Sequence, residues 1–234
     1  MKKQLITLVA LVAIPALSFA QTADEVIAKH LTALGGADKI AAVNTMDLEQ
    51  SMSVMGMDLT SKSTYVIGKS MRSDISVMGQ QITTVIDGDK GWAINPMQGG
   101  NTPQDMPAEA MKASKNLTEP QVLQLAYVKV NKYPYELVGK EKFNGKDAFN
   151  LKVTRPEGAF SYFVDASTYQ LLGLKGISPQ GEVSAVFSDY KAQDGITMPY
   201  SSEITAANAP GAITAKVTKV VFNSTVEPKI FNKP

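Results

Sequence analysis

The spacing of apolar side chains changes along this chain, and each change of period predicts a different element. Val26, Ile27, His30, Leu31 and Leu34 recur at helical intervals behind Thr22 and Glu25, a capping-box pair, until Gly35-Gly36 ends the run. Ala37 to Val43 continues as a brief second helix carrying Ile40. From Asn44 the period drops to two. Met46, Leu48, Met52 and Val54 alternate with Asp47, Glu49, Ser51 and Ser53, which sets one apolar face against one polar face. Strand-length runs follow, each closed by a turn signal: Leu59 to Ile67 by Gly68-Lys69, Met71 to Val77 by Met78-Gly79, Gln80 to Ile86 by Asp87-Gly88, and a fifth run around Trp92.

Between Pro96 and Tyr133 the alternation fails. Met106 to Ser114 and Pro120 to Val128 each read as a short helix inserted into the sheet, the second with proline in its first turn. Alternation then resumes around Asn144-Gly145, a strong hairpin signal between Tyr135 to Phe143 and Asp147 to Thr154, and further turns separate five more strands. Ten to twelve strands with strand-to-strand turns predict one continuous antiparallel sheet curled into a full or partial barrel. In the later strands Phe160, Tyr162 and Val164 oppose Phe163, and Leu171 opposes Leu172 and Leu174, so both faces are covered there, with the inserted helices and the N-terminal helix as candidates for lying across the concave side.

Lys2 and Lys3, an apolar run from Leu5 to Leu17, and Ser18 and Ala20 form the pattern of a cleavable secretory leader ending at Ala20. The residue after the cut is Gln21, with no thiol for lipid attachment, so the expectation is a free protein in the periplasm. About 214 residues remain as one domain: helices over 21–43, a first meander over 44–95, a helical lid insertion over 96–132 and a second meander over 133–234. The charges left are nearly balanced, which argues against nucleic acid. The chain has no cysteine, hence no disulfide and no thiolate metal site. No later apolar run reaches membrane-spanning length, so membrane contact would be peripheral.

Catalytic patterns are sparse. The one histidine, His30, has no Asp, Glu or second His at metal or triad spacing and reads as a helix residue whose charge suits the C-terminal dipole. Asp87-Gly88-Asp89 lacks the further oxygen ligands of a calcium loop and reads as a turn, and Asp47 with Glu49 reads as a solvated strand face. No nucleophile elbow, zinc-protease motif or phosphate loop is present, so neither enzyme nor cofactor is expected. The Asn-x-Thr sites at Asn116 and Asn223 read as chance. Methionine stands out. Nine of the eleven lie between Met46 and Met111, either as core filler or as a pliable apolar surface for variable ligands.

Several stretches resemble one family in their order. Ala23 to His30 through Leu34-Gly35-Gly36, Gly91-Trp92-Ala93-Ile94-Asn95-Pro96, Tyr162-Phe163-Val164-Asp165 with Thr168-Tyr169, and Phe187-Ser188-Asp189-Tyr190-Lys191 with Asp194-Gly195 and Pro199 are similar to the LolA-like periplasmic proteins that sort outer-membrane lipoproteins. The resemblance implies a mainly β fold, a half-open antiparallel β-barrel with short helices over an apolar concave face, which binds acyl chains. It also implies traffic between an inner-membrane donor and an outer-membrane acceptor. The acceptor of the family is itself a lipoprotein, so Gln21 points to the shuttle.

Each acyl methylene is worth roughly 0.8 kcal/mol of burial, so exposing a diacyl anchor costs on the order of 20 kcal/mol and a carrier is needed. The expected lining is Met52, Val54, Tyr65, Ile67 and Trp92 from the strands, with Met111, Val122, Leu123 and Leu125 from the lid. These assignments depend on strand parity, which a one-residue slip reverses. The leading expectation is a monomeric carrier of a lipoprotein's acyl chains or another lipid, without covalent catalysis. The alternative is an envelope sensor or scaffold that binds a protein partner, and a lipid hydrolase ranks third.

Overall fold

The computed structural model describes residues 21–178, 181–207, 209 and 211–234; the leader expected over residues 1–20 lies outside the described residues. Two helices, α1 (Ala23–Ala33) and α2 (Ala37–Ala41), lead into strands β1 (Thr45–Val54), β2 (Met57–Val66), β3 (Ser70–Val77), β4 (Gln80–Asp87), β5 (Lys90–Asn95) and β6 (Gly100–Asp105). Then come helix α3 (Ala108–Ser114) and two 3-10 segments, Lys115–Thr118 and Gln121–Tyr127. Strands β7 (Tyr135–Phe143), β8 (Lys146–Arg155), β9 (Gly158–Asp165), β10 (Leu171–Ser178), β11 (Gly181–Gln193), β12 (Ile196–Ala206) and β13 (Ile213–Phe222) complete the sheet, and a 3-10 turn, Pro228–Phe231, follows.

All thirteen strands form one sheet in the order β6-β5-β4-β3-β2-β1-β13-β12-β11-β10-β9-β8-β7. Each runs antiparallel to its neighbours. The pairing of β1 with β13 joins the two meanders, so the first and last strands meet mid-sheet while β6 and β7 remain free edges. The sheet is an open barrel.

Two local expectations are corrected. The stretch from Pro96 opens with a 3-10 turn, Pro96–Gln98, and then strand β6, which the alternation rule misses because Gly100-Asn101-Thr102-Pro103-Gln104-Asp105 is polar throughout; a proline is tolerated there because the strand is an edge. The run from Pro120 forms a 3-10 helix and not an α-helix, closed by i to i+3 bonds such as Leu123 N–H to Pro120 O at 2.9 Å.

The helices lie on one face of the sheet. The Thr22 hydroxyl caps Glu25 N–H and the Glu25 carboxylate accepts from Thr22 N–H, which starts α1 as the capping box predicts. Val26 and Ile27 then pack with Leu125, Phe149, Leu151, Tyr162 and Leu174. Leu34 and Ile40 pack with Met46, Leu48, Leu123, Tyr127 and Met198. A side chain at Gly35 is excluded, since a Cβ would sit 2.1 Å from Gly195 O, and this contact seats the α1–α2 corner on the β11–β12 turn. His30 is buried, with Nδ1 2.7 Å from the Tyr169 carbonyl. Burial lowers its pKa to about 4 against a weaker upward pull from that bond, so the imidazole is neutral and the expected dipole charge is absent.

The reverse face covers itself. Phe143 and Phe163 stack at 4.3 Å beside Leu172, which supplies the cover expected on that side.

Four two-residue hairpin turns share one geometry, with both central residues at positive φ: Met55-Gly56, Met78-Gly79, Asn144-Gly145 and Asp194-Gly195. Asparagine and aspartate suit that first position. Methionine does not, at a cost of about 1–2 kcal/mol each.

Candidate functional site

Strand register defines the face beneath the helices. From Met46 and Leu48, which pack under the 3-10 segment, alternate β1 positions lead to Gln50, Met52 and Val54. Across the sheet, Val77, Leu59, Met52, Ala215 and Ser202 form one row, and Met57, Val54, Ile213, Ile204, Ala185, Leu174 and Tyr162 form the next. Ile75 and Ile82 pair beside them. None of these side chains is acidic or basic. The face is a trough in two parts.

At one part the lid is closed. Met111 of α3 packs on Met71 and Ile86, and the sulfurs of Met106 and Met111 lie 2.9 and 2.6 Å from the position a Cβ would take at Gly91, so they fill the space that this glycine leaves open on β5. Leu123 and Ala126 cover Met46 and Leu48. At the other part Met52, Val54, Leu59, Ile75, Ile82 and Ile213 are half-buried and join none of the packed clusters among the described residues. Apolar surface that folding leaves unpacked is what a ligand can use.

A buried ion cluster ties the lid to the sheet. Arg155, at the end of β8, donates from Nη2 to Glu119 at 2.8 Å and from Nε to Glu157 at 2.6 Å. Asn131 and Tyr133 also donate to Glu119, and the Arg155 guanidinium lies 4.9 Å from the Tyr133 ring centre. Glu119 immediately precedes the 3-10 segment. Burial pushes Tyr127 and Tyr162 nearby up to about 12, so both remain protonated.

Of the residues expected to line a cavity, Met52, Val54 and Tyr65 occupy the concave face, and Ile67 and Val122 pack at its covered part beside Leu123. Leu125 and Met111 are lid residues buried against the sheet. Trp92 is a correction. It pairs with Val85 on the reverse face, where Phe231 covers it and the Phe231 carbonyl accepts from its indole N–H at 2.9 Å. The β4–β5 hairpin sets its parity, and Gly91 takes the concave position. Leu59, Ile75 and Ile213 share the concave face with Met52, and the alternation along their strands marks them as well as it marks Met52. Arg155 and Glu119 carried no local signal, being 36 residues apart.

The described residues contain no cluster of three or more His, Cys, Asp or Glu placed to hold a metal. Ser63 donates to Ser73 on the concave face. A cleft of about 710 Å³ lies on the reverse face along the row Lys152, Ser161, Lys175, Ser184 and Thr205, away from the lid. Another of about 740 Å³ opens beside α3, at Met106 and Met111.

No protein-family model matches the sequence, and no curated protein matches it either. Solved structures match the fold. A LolA superfamily protein from Nitrosomonas europaea superposes with a TM-score of 0.61 at 13% identity, covering 92% of this chain and 99% of its own. A domain described as an outer-membrane lipoprotein-sorting protein, from Vibrio parahaemolyticus, gives 0.56 at 16% identity, covering 89% and 95%. A DUF1329 family protein from Desulfovibrio piger gives 0.58 at 13%, covering 89% and 96%.

Proposed function

We propose, from the premise that this chain has the LolA-like fold, that it is an exported carrier which holds the acyl chains of a lipoprotein or another lipid in the trough and performs no covalent chemistry. One observation carries this reading: a row of half-buried, uncharged side chains, Met52, Val54, Leu59, Ile75, Ile82 and Ile213, continues the core beyond the lid without being packed. Methionine fits the task because its unbranched chain adapts to ligands of different shape. A leader without a lipidation cysteine supports a free shuttle between an inner-membrane donor and an outer-membrane acceptor. The lipoprotein-sorting domain from Vibrio parahaemolyticus, which shares the fold, supports lipoprotein cargo.

The test is uptake of a fluorescent fatty acid by residues 21–234, with Leu59→Asp as the probe of the trough. Leu59 is half-buried and outside every packed cluster, so the fold should survive the change. The expected result is saturable uptake by the native chain and at least tenfold weaker uptake by the variant, since burying an unpaired carboxylate costs well over the 1.4 kcal/mol of a decade. Equal uptake by both, or none by the native chain, would refute the reading.

A further inference from the structure

At the end of the sheet where β1, β3 and β5 finish, the turns of the first meander differ from those at its opposite end in a way the fold does not require; the β8–β9 turn at the same end carries Arg155 and Glu157. Three adjacent hairpin tips lie there: Met55-Gly56 between β1 and β2, Met78-Gly79 between β3 and β4, and Pro96–Gln98 with Gly99 between β5 and β6. Met55 is 69% exposed, Met78 78% and Met97 56%, with Met57 at 41% beside them. From 52 to 57, 77 to 82 and 95 to 104 the sequence holds no charged residue; Asp58, on the reverse face, is the first below the β1–β2 tip. The turns at the other end carry Lys69, Asp87, Asp89, Lys90, Lys146 and Asp194.

The same turn geometry appears at both ends with different residues. Asn144 (φ 47°) and Asp194 (φ 52°) hold the strained position at one end, and Met55 (φ 51°) and Met78 (φ 50°) hold it at the uncharged tips of the other. The turn itself favours asparagine or aspartate. Methionine at an exposed left-handed position therefore serves something outside the fold.

We propose that this end docks on a lipid bilayer, with Met55, Met78 and Met97 inserted below the headgroups. A protein partner of ordinary affinity would need a contiguous complementary surface of about 800 Å². These side chains stand singly on tips about 10 Å apart, two strand spacings, with glycine and glutamine between them. Separate flexible anchors suit a fluid apolar phase, and tips without charge enter it without desolvating an ion. Directly below the tips lie Val54, Met52 and Leu59, of the unpacked part of the trough, beside the buried Val77, so the docked edge places the trough against the membrane. Docking does not depend on the carrier reading, because it requires only the tips.

The experiment is co-sedimentation of residues 21–234, which comprise the whole described fold, with phosphatidylcholine vesicles, comparing the native chain with the double variant Met55→Asn/Met78→Asn. Vesicle partition is expected to fall on the order of tenfold for each methionine withdrawn. The melting temperature is expected to stay level or rise, because asparagine suits the turn. High salt should leave native partition unchanged, since no charge is engaged. Native partition that high salt abolishes, a double variant that binds as the native chain does, or a native chain that does not sediment with vesicles would each overturn the proposal. Fatty-acid uptake measured on the same double variant separates the two readings: it stays native if only docking has been removed, and its absence in the native chain counts against the carrier and leaves docking standing.

Discussion

His30 is the residue whose sequence context and surroundings diverge most. One histidine near the end of an exposed-looking helix suggests a charge for the dipole, whereas the folded protein buries it neutral against Tyr169. The burial has a pH signature. With a folded value of about 4 against an ordinary 6.5, the unfolded chain takes up the proton first, so stability is full above about pH 6.5 and falls as pH drops toward 4. The total is about 3 kcal/mol, and it is expected as the pH-dependent part of the stability difference between the native chain and His30→Gln in urea titrations. Asp165 titrates in a separate, lower window: burial opposes its charge, but Ser167 and Thr168 donate to the carboxylate and hold it below the usual range. A flat difference between native and variant across the His30 window would refute the neutral burial.

At the scale of elements, the lid depends on Arg155. The 3-10 segment Gln121–Tyr127 follows Glu119 and Pro120, and the Arg155–Glu119 contact fixes where it begins. Arg155→Met leaves two buried carboxylates without their cation and is expected to destabilise the protein by about 3–5 kcal/mol. Amide exchange should accelerate first over residues 119–131 and much less in β8 to β11. Adding Glu119→Gln and Glu157→Gln removes the uncompensated charge and is expected to restore most of the loss. If the triple variant is as unstable as the single one, the cluster acts by packing and not by charge. The parity of β1 and β2 and the hairpin turns were legible in the sequence because each is set by neighbouring residues; the parity of β5, with Trp92, was not. Strand β6 and the 3-10 geometry were not, the first being held by pairing with β5 and the second by contacts from distant strands.

Across the whole molecule, the β1–β13 pairing makes two meanders into one sheet, with Met46 and Leu48 packing alongside Val220 and Met198 at the join. Neither half closes its own core. One cooperative transition is therefore expected, and Trp92 offers a local probe, since it is the only tryptophan and sits under Phe231 in the first half. Its fluorescence change in denaturant should coincide with the loss of β signal by circular dichroism, which reports mainly the larger second half. Separate midpoints would show that the halves unfold independently.

The sequence by itself determined the secondary pattern, the capping of α1, the hairpin turns and the mainly β class, because period, caps and turn preferences act over a few neighbouring residues. It also determined the shared face of Met52, Val54 and Tyr65. Only the tertiary structure decided that Trp92 faces away, that His30 is neutral, that Arg155 holds the lid, and that the uncharged methionine tips fall at one end of the sheet. These depend on which strands become neighbours and which surfaces lose water. Such contacts join residues far apart in sequence, and their energy exists only once the sheet has formed.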